Sequence, residues 1–169
     1  NSKVVSVGNF KYKLTKNKAQ VVGLSKKGKK KASLSLGKTI KVKAASPSAI
    51  TSAPAVQTYK ITSVKAGAFK NSAKLKKFSF KKATNIKALP AKAFTNCKKL
   101  KSVELNKKMK KIPAQAFKGC KKLTTIKCNA KLKSVSKSAF KGCKKKIKIT
   151  GKSKKANKKK IKKAYKKVK

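Results

Sequence analysis

Histidine, aspartate, arginine and tryptophan are missing from this chain, and glutamate occurs once, at Glu104. That inventory cannot assemble paired carboxylates, a Ser-His-Asp or Cys-His set, or a metal site built from imidazole and carboxylate. A Ser-Lys dyad stays open on residue types alone, but both types are so abundant that no pair stands out. The eight glycines are scattered and form nothing like a phosphate-cradling loop. No apolar run approaches the roughly eighteen residues of a membrane span, and no basic leader with an apolar stretch behind it is present. The first residue is Asn1 and not methionine, which leads us to expect a processed or trimmed N-terminus such as a removed signal peptide leaves. The chain therefore reads as a non-enzyme with no metal and no cofactor.

What is present is lysine. All 53 cationic side chains are lysine, for a formal net charge of +52. Charge this one-sided often marks a disordered polycation, yet 38% of the residues are hydrophobic and they recur at fixed intervals, which a disordered tail would not need. The length of 169 residues suits one domain or one short elongated array with a buried core.

The intervals are set by Ala-Phe pairs. Phe69, Phe94, Phe117 and Phe140 lie 25, 23 and 23 residues apart, the period of a stacked repeat. Eight residues before each stand Ile61, Ile86, Met109 and Leu132, and five before stand Val64, Leu89, Ile112 and Val135. Behind the first three follow Leu75, Leu100 and Leu123, then Phe78, Val103 and Ile126, then Phe80, Leu105 and Cys128. The last copy reads as shortened, with Ile147 and Ile149 in the alternating positions. Alternation such as Val103-Glu104-Leu105 has period two and predicts a short strand with one face buried. One such strand cannot fold alone. Stacking the units pairs their strands in parallel about 4.8 Å apart and merges their apolar positions, with the four phenylalanines as a buried ladder. The Ala-Phe-x-x-Cys segment is expected to return the chain as a helical turn entered near Pro90 and Pro113.

Leu100-x-x-Val103-x-Leu105, Leu123-x-x-Ile126-x-Cys128 and the Ile/Leu-Pro-x-x-Ala-Phe-x-x-Cys continuation resemble the BspA-like and treponemal leucine-rich repeats, over about residues 59–151. The asparagine usual in other leucine-rich repeats is absent from its place, so the resemblance is to this subclass. It implies a bacterial, exported or surface-attached protein that binds other molecules, with an extracellular or cell-surface location. The expected fold is α/β: a right-handed leucine-rich-repeat solenoid of about four short repeats between two caps. Residues 1–58 would form the N-terminal cap, with alternating Phe10, Tyr12 and Leu14, then Val21, Val22 and Leu24, then Leu34, Leu36, Ile40 and Val42 as antiparallel strands. Within it, residues 25–31 read as a solvated turn and residues 45–55 as a mobile loop. Residues 152–169 would form a lysine-rich capping helix, since Ile161, Ala164, Tyr165 and Val168 follow the i, i+3, i+4, i+7 rule.

Candidate binding residues fall into two sets. Lys74, Lys99, Lys122 and Lys145 each follow a repeat phenylalanine by five residues, and Lys87, Lys110 and Lys133 each precede one by seven, so stacking turns each set into a ridge. Unit charges about 5 Å apart repel by roughly 0.8 kcal/mol in unscreened water, and a polyanion laid along a ridge relieves this while releasing counterions. The second set, Lys77, Ser79, Ser102, Glu104, Thr125 and Lys127, occupies the outward strand positions, where the resemblance places a ligand; a pairing of Glu104 with Lys127 is the simplest structural role for the carboxylate. Cys97, Cys120, Cys143 and Cys128 all sit at repeat positions, which leaves buried thiols or one bridge between stacked neighbours open and disfavours zinc. Anionic polymers such as teichoic acids and acidic glycans, or host surface and matrix proteins, are the expected partners. A spacer or wall-anchoring role within a larger surface protein and a nucleic-acid-binding polycation are the alternatives. Sequence-specific nucleic-acid recognition is disfavoured, because no arginine fork and no aromatic stacking platform accompanies the lysines.

Overall fold

Period-two alternation and a period near 23 residues build different parts of the chain, whose computed structural model describes residues 2–43 and 55–169. The elements in chain order are β1 (Lys3–Val7), β2 (Phe10–Thr15), β3 (Lys18–Leu24), the single helical turn α1 (Lys26–Lys29), β4 (Ser33–Ser35), β5 (Thr39–Lys43), β6 (Val56–Val64), β7 (Lys77–Ser79), β8 (Ser102–Leu105), β9 (Lys111–Ile112), β10 (Thr125–Cys128), β11 (Ser134–Val135), β12 (Lys148–Gly151) and α2 (Lys154–Ala164). The segment read as a mobile loop, 45–55, lies outside the described residues but for its last one.

At the N-terminal end, alternation buries Phe10, Tyr12 and Leu14 on one face of β2 while Lys11 and Lys13 face water. The sheet runs β1-β2-β3-β6-β5, antiparallel except where β6 lies parallel to β3. Two readings of this region change. Residues 25–31 hold α1, capped by Ser25, whose Oγ accepts the Gly28 N–H at 3.1 Å. Leu34 and Leu36 do not join the antiparallel cap: β4 pairs in parallel with β7, and Leu36 N–H donates to the Ser79 carbonyl at 3.0 Å. The reason is that Leu34-x-Leu36 has the spacing of Phe78-x-Phe80 and packs in the same frame.

The second sheet, β4-β7-β8-β10-β12, is parallel throughout. Its inward row is Leu34, Phe78, Val103, Ile126 and Ile149, matched residue for residue by the strand register and buried. The last copy is not shortened. Ile149 pairs with Ile126 and Gly151 with Cys128, in the frame of the earlier copies, while Ile147 is buried and bridges Val168. Gly151 is required there: its φ is +90° and a Cβ would run into the Cys128 carbonyl oxygen.

The return segment is not helical. At 91–97 and its equivalents the chain makes successive i to i+3 turns, such as Ala116 N–H to the Pro113 carbonyl (3.3 Å) and Cys120 N–H to the Phe117 carbonyl (3.1 Å). Left-handed residues recur two before and two after the phenylalanine: Gly67, Lys92 and Gln115, then Asn71, Asn96, Gly119 and Gly142. This zigzag turns alternate N–H groups toward the next coil, so Phe69, Phe94 and Phe117 donate to the carbonyls of Ala93, Ala116 and Ala139 at 3.2, 2.8 and 2.9 Å. A helix would have consumed those donors within the segment.

Both sides of each coil are thus hydrogen-bonded to their neighbours, and the interior between them is apolar. Phe69, Phe94, Phe117 and Phe140 are at most 2% exposed, and their rings stack at 5.5, 5.8 and 5.5 Å between centroids. Burying such a side chain contributes about 1.5–3 kcal/mol each. The Tyr165 ring closes the ladder 5.5 Å beyond Phe140, and its hydroxyl donates to the Lys145 carbonyl at 2.8 Å. Tyr165 and Val168 belong to no helix: α2 stops at Ala164, Tyr165 is extended, and Val168 instead adds the bridge to Ile147. Asn157, wholly buried on α2, donates to the Ala130 and Lys152 carbonyls and accepts the Leu132 N–H at 2.8 Å. This asparagine seats the helix on the last coil.

Candidate functional site

The strand register fixes the outward face of the parallel sheet as two rows. One runs Ser33, Lys77, Ser102, Thr125, Lys148 and the other Ser35, Ser79, Glu104, Lys127, Thr150. Lys77, Ser79, Ser102, Glu104, Thr125 and Lys127 all line one shallow concavity of about 330 Å³, which Ser33, Ser35 and Thr150 extend at its ends. The extension by Ser33 and Ser35 follows from β4 belonging to this sheet, and the Ser-Leu-Ser spacing beside Lys77-Phe78-Ser79 was the signal for it.

Glu104 is tied down within that face. Its carboxylate takes Lys127 Nζ at 3.1 Å, Asn129 Nδ2 at 3.2 Å and Ser79 Oγ at 3.3 Å. Partial burial raises its pKa, but the hydrogen bonds from Asn129 and Lys127, the Lys127 charge and the Ser79 hydroxyl together outweigh this and hold the carboxyl below its ordinary value. The one acidic side chain is therefore spent on a cross-strand pair, and the other lysines have no side-chain carboxylate to meet.

The ridge lysines divide. Lys74, Lys99, Lys122 and Lys145 are exposed, and each stands three residues ahead of a strand of the parallel sheet, so the register of Lys77, Ser102, Thr125 and Lys148 carries them in step from coil to coil. Lys110 and Lys133, also exposed, lead into the paired strands β9 and β11, and Lys133 N–H donates to the Lys110 carbonyl at 2.6 Å. Lys87 is exposed at the matching position of a coil that has no strand there. Across from Lys133, Lys160 of α2 donates from Nζ to the Lys133 carbonyl at 2.8 Å. Lys160 lies outside the repeat, so no spacing in the sequence pointed to it. No described lysine is buried.

The cysteines are structural. Cys97, Cys120 and Cys143 donate from Sγ to the carbonyls of Phe69, Phe94 and Phe117 at 3.0–3.1 Å, each reaching the preceding coil. Burial pushes Cys97 and Cys143 up to about 11, Cys128 to about 12 and Cys120 further still, so all four remain thiols at neutral pH. Among these residues there is no disulfide.

A second buried asparagine, like Asn157, went unread in the sequence. Asn106, directly after β8, donates to the carbonyls of Ala83 and Ile86 on the preceding coil and accepts the N–H groups of Lys108 and Met109. It supplies the coil-to-coil bonding of an asparagine ladder from a different place in the repeat.

A parallel sheet with its inward apolar rows, a return segment of turns and a terminal helix together define a leucine-rich-repeat protein. The chain belongs to the BspA type leucine rich repeat family, whose model matches residues 45–165 and describes six copies. Two solved structures share the fold. A leucine-rich repeat protein from Bacteroides ovatus is 22% identical over 87% of this chain, with a TM-score of 0.63. A leucine rich cell surface protein from Faecalibacterium prausnitzii is 20% identical over 91% of it, with a TM-score of 0.59. This chain spans 37% and 41% of the length of those two proteins. No curated protein matches the sequence.

Proposed function

We propose that the chain is a non-catalytic binding module, presented outside a bacterial cell, that engages anionic polymers or acidic protein surfaces through its lysine ridges. The observation that carries this reading is the register: Lys74, Lys99, Lys122 and Lys145 keep step along the parallel sheet, and the single side-chain carboxylate is already engaged by Lys127. Charges of one sign held at coil spacing repel within a Debye length of about 8 Å, and a polyanion lying along them removes that repulsion and releases counterions. Teichoic acids, acidic glycans and host matrix proteins offer such charge. The cell-surface description of the Faecalibacterium relative supports the location.

The test is binding to a teichoic acid, a heparin-like glycan, duplex DNA and a neutral glycan over a range of salt. The logarithm of the affinity for the anionic polymers is expected to fall linearly with the logarithm of salt concentration. Equal binding of the neutral glycan, or no fall with salt, overturns the reading. Preference for duplex DNA over the other polyanions would favour the nucleic-acid alternative. The spacer reading draws support from the partial coverage of the two solved relatives, and it is favoured if no polyanion binds.

A further inference from the structure

The seat of α2 leaves a concavity of about 620 Å³ lined by Lys107, Lys110, Lys131, Lys133 and Lys160 around Ala130 and Leu132. Five lysines line it and no acidic side chain does, since Glu104 is held by Lys127. The walls are fixed by hydrogen bonds, one of them made by a lysine of the site itself. Asn157 holds the Ala130 carbonyl and the Leu132 N–H, Lys133 N–H holds the Lys110 carbonyl, and Lys160 Nζ holds the Lys133 carbonyl, which leaves that ammonium two further N–H donors. A second hollow shares Lys133 and Lys160 and continues past Lys159 and Lys163, so the basic surface extends as a groove between β11 and α2.

We infer that this groove is a discrete site for a run of phosphate groups, in a condensed phosphate or a phosphate-linked polymer. The inference rests on the polyanion reading above and narrows it to one place and one chemistry. Ammonium groups are compact point charges whose donors rotate to meet a tetrahedral oxyanion, and each phosphate of a chain brings negative charge together with several acceptor oxygens. Five cations around one concavity are neutralised by neighbouring phosphates and not by a single carboxylate. Continuation past Lys159 and Lys163 lets a longer chain run on.

The probe is sodium tripolyphosphate, titrated calorimetrically into the intact chain. Expected is saturable one-to-one binding. The variant Lys110→Gln/Lys133→Gln/Lys160→Gln should weaken it roughly tenfold or more, while Lys11→Gln/Lys13→Gln/Lys41→Gln, which removes the same charge from exposed strand positions of the N-terminal sheet, should change it less than about threefold. Equal losses in the two variants, or unsaturable uptake, overturn the site. Should the groove variant fail to fold, acetylation of the wild-type chain decides: tripolyphosphate must slow modification of Lys110, Lys133 and Lys160 more than that of Lys74, Lys99 and Lys122, and uniform slowing overturns the site. A glycerol-phosphate polymer that displaces the probe supports the site with a polymer as its source. A sulfated glycan that displaces it equally at matched charge overturns the phosphate assignment. If long polyanions bind with the expected salt dependence while tripolyphosphate does not, the groove fails and the ridge reading stands; if neither binds, both fail.

Discussion

Replacing Phe117 by alanine tests whether the stacked ladder holds the coils together. The ring is fully buried, lies 5.8 Å from Phe94 at an interplanar angle of 4° and 5.5 Å from Phe140 at 13°, and has coils on both sides. Deleting a buried phenyl group costs about 3–5 kcal/mol, and two lost aromatic contacts keep this case off the lower end of that range, near 4 kcal/mol. Against a total stability of about 5–15 kcal/mol this is a large fraction, and it corresponds to a fall in Tm of roughly 8–16 °C for a chain of this size. The alanine keeps the backbone bonds to Ala139, Cys120 and Cys143, so the loss reports the ring. Urea unfolding followed by circular dichroism, at one fixed ionic strength, gives the number. Val4→Ala, at a side chain 59% exposed, is the control and should stay within about 0.5 kcal/mol of the parent. Combining Phe94→Ala with Phe117→Ala should cost less than the sum of the single changes by about 0.5–1.5 kcal/mol, because the shared contact is lost only once. A Phe117→Ala loss below about 1 kcal/mol, or strict additivity of the pair, refutes the ladder as the coupling element.

The thiols give a second check: none of the four cysteines should react with a thiol reagent at mildly alkaline pH while the chain is folded, and all four should react in urea. Rapid labelling of the native chain would contradict their burial. Asn106→Ala removes four side-chain hydrogen bonds and leaves the Ile86 carbonyl and the Lys108 N–H without a partner, while the Ala83 carbonyl keeps the Ile86 N–H and the Met109 N–H keeps the residue-106 carbonyl; it should cost about 1–3 kcal/mol in the same urea assay, and a neutral effect would remove the asparagine from the set of coil connectors. Glu104→Gln tests the cross-strand pair by pH. The folded carboxyl titrates below its ordinary value, so its contribution is present above about pH 4.3 and is lost as pH falls through the folded value. Because Glu104 is the one acidic side chain, the difference in Tm between parent and variant should shrink over that window and reflect under about 1 kcal/mol at its largest. A difference that grows on acidification reverses the sign and refutes the pairing.

How much of this was legible depended on whether a residue's role repeats. The phenylalanines and the strand positions recur at one period, and the apolar rows follow from that spacing alone. β4 was misplaced because its copy, Ser33-Leu34-Ser35, lies 44 residues before β7 instead of one period, with β5 and β6 intervening. Adjacent alternating segments look alike whether they pair antiparallel or in parallel, and only the partner distinguishes them. The return segment was misread for a different reason: Ala-Phe-x-x-Cys has helical composition, but its N–H groups are claimed by the next coil. Lys92 and Gln115 take left-handed backbone that neither residue type announces. On the candidate site, the ridges were visible as register in the sequence. The groove was not, since Lys160 comes from a helix with no copy elsewhere and only packing sets it beside Lys133.

Core and surface respond oppositely to the same charges, and salt separates them. Every described lysine stays at the surface, so the +52 charge does not enter the core, but folding still gathers it at coil spacing. The unfolded chain can spread those charges apart, and the folded one cannot. Added salt screens this repulsion and should raise the urea midpoint, with most of the gain reached as the Debye length falls below about 8 Å. The same salt weakens polyanion binding, because counterions released into a more concentrated solution gain less entropy. A bound polyanion stabilises the fold by mass action in dilute salt and loses that effect in concentrated salt. Two melting series, with and without a heparin-like polymer, should therefore converge from opposite sides as salt rises: the free chain climbs and the bound chain falls towards it. A free chain whose melting does not rise with salt would mean that the lysines do not repel one another in the folded state, and parallel curves would mean that polymer binding does not depend on counterion release; either outcome removes the physical basis for ridge binding.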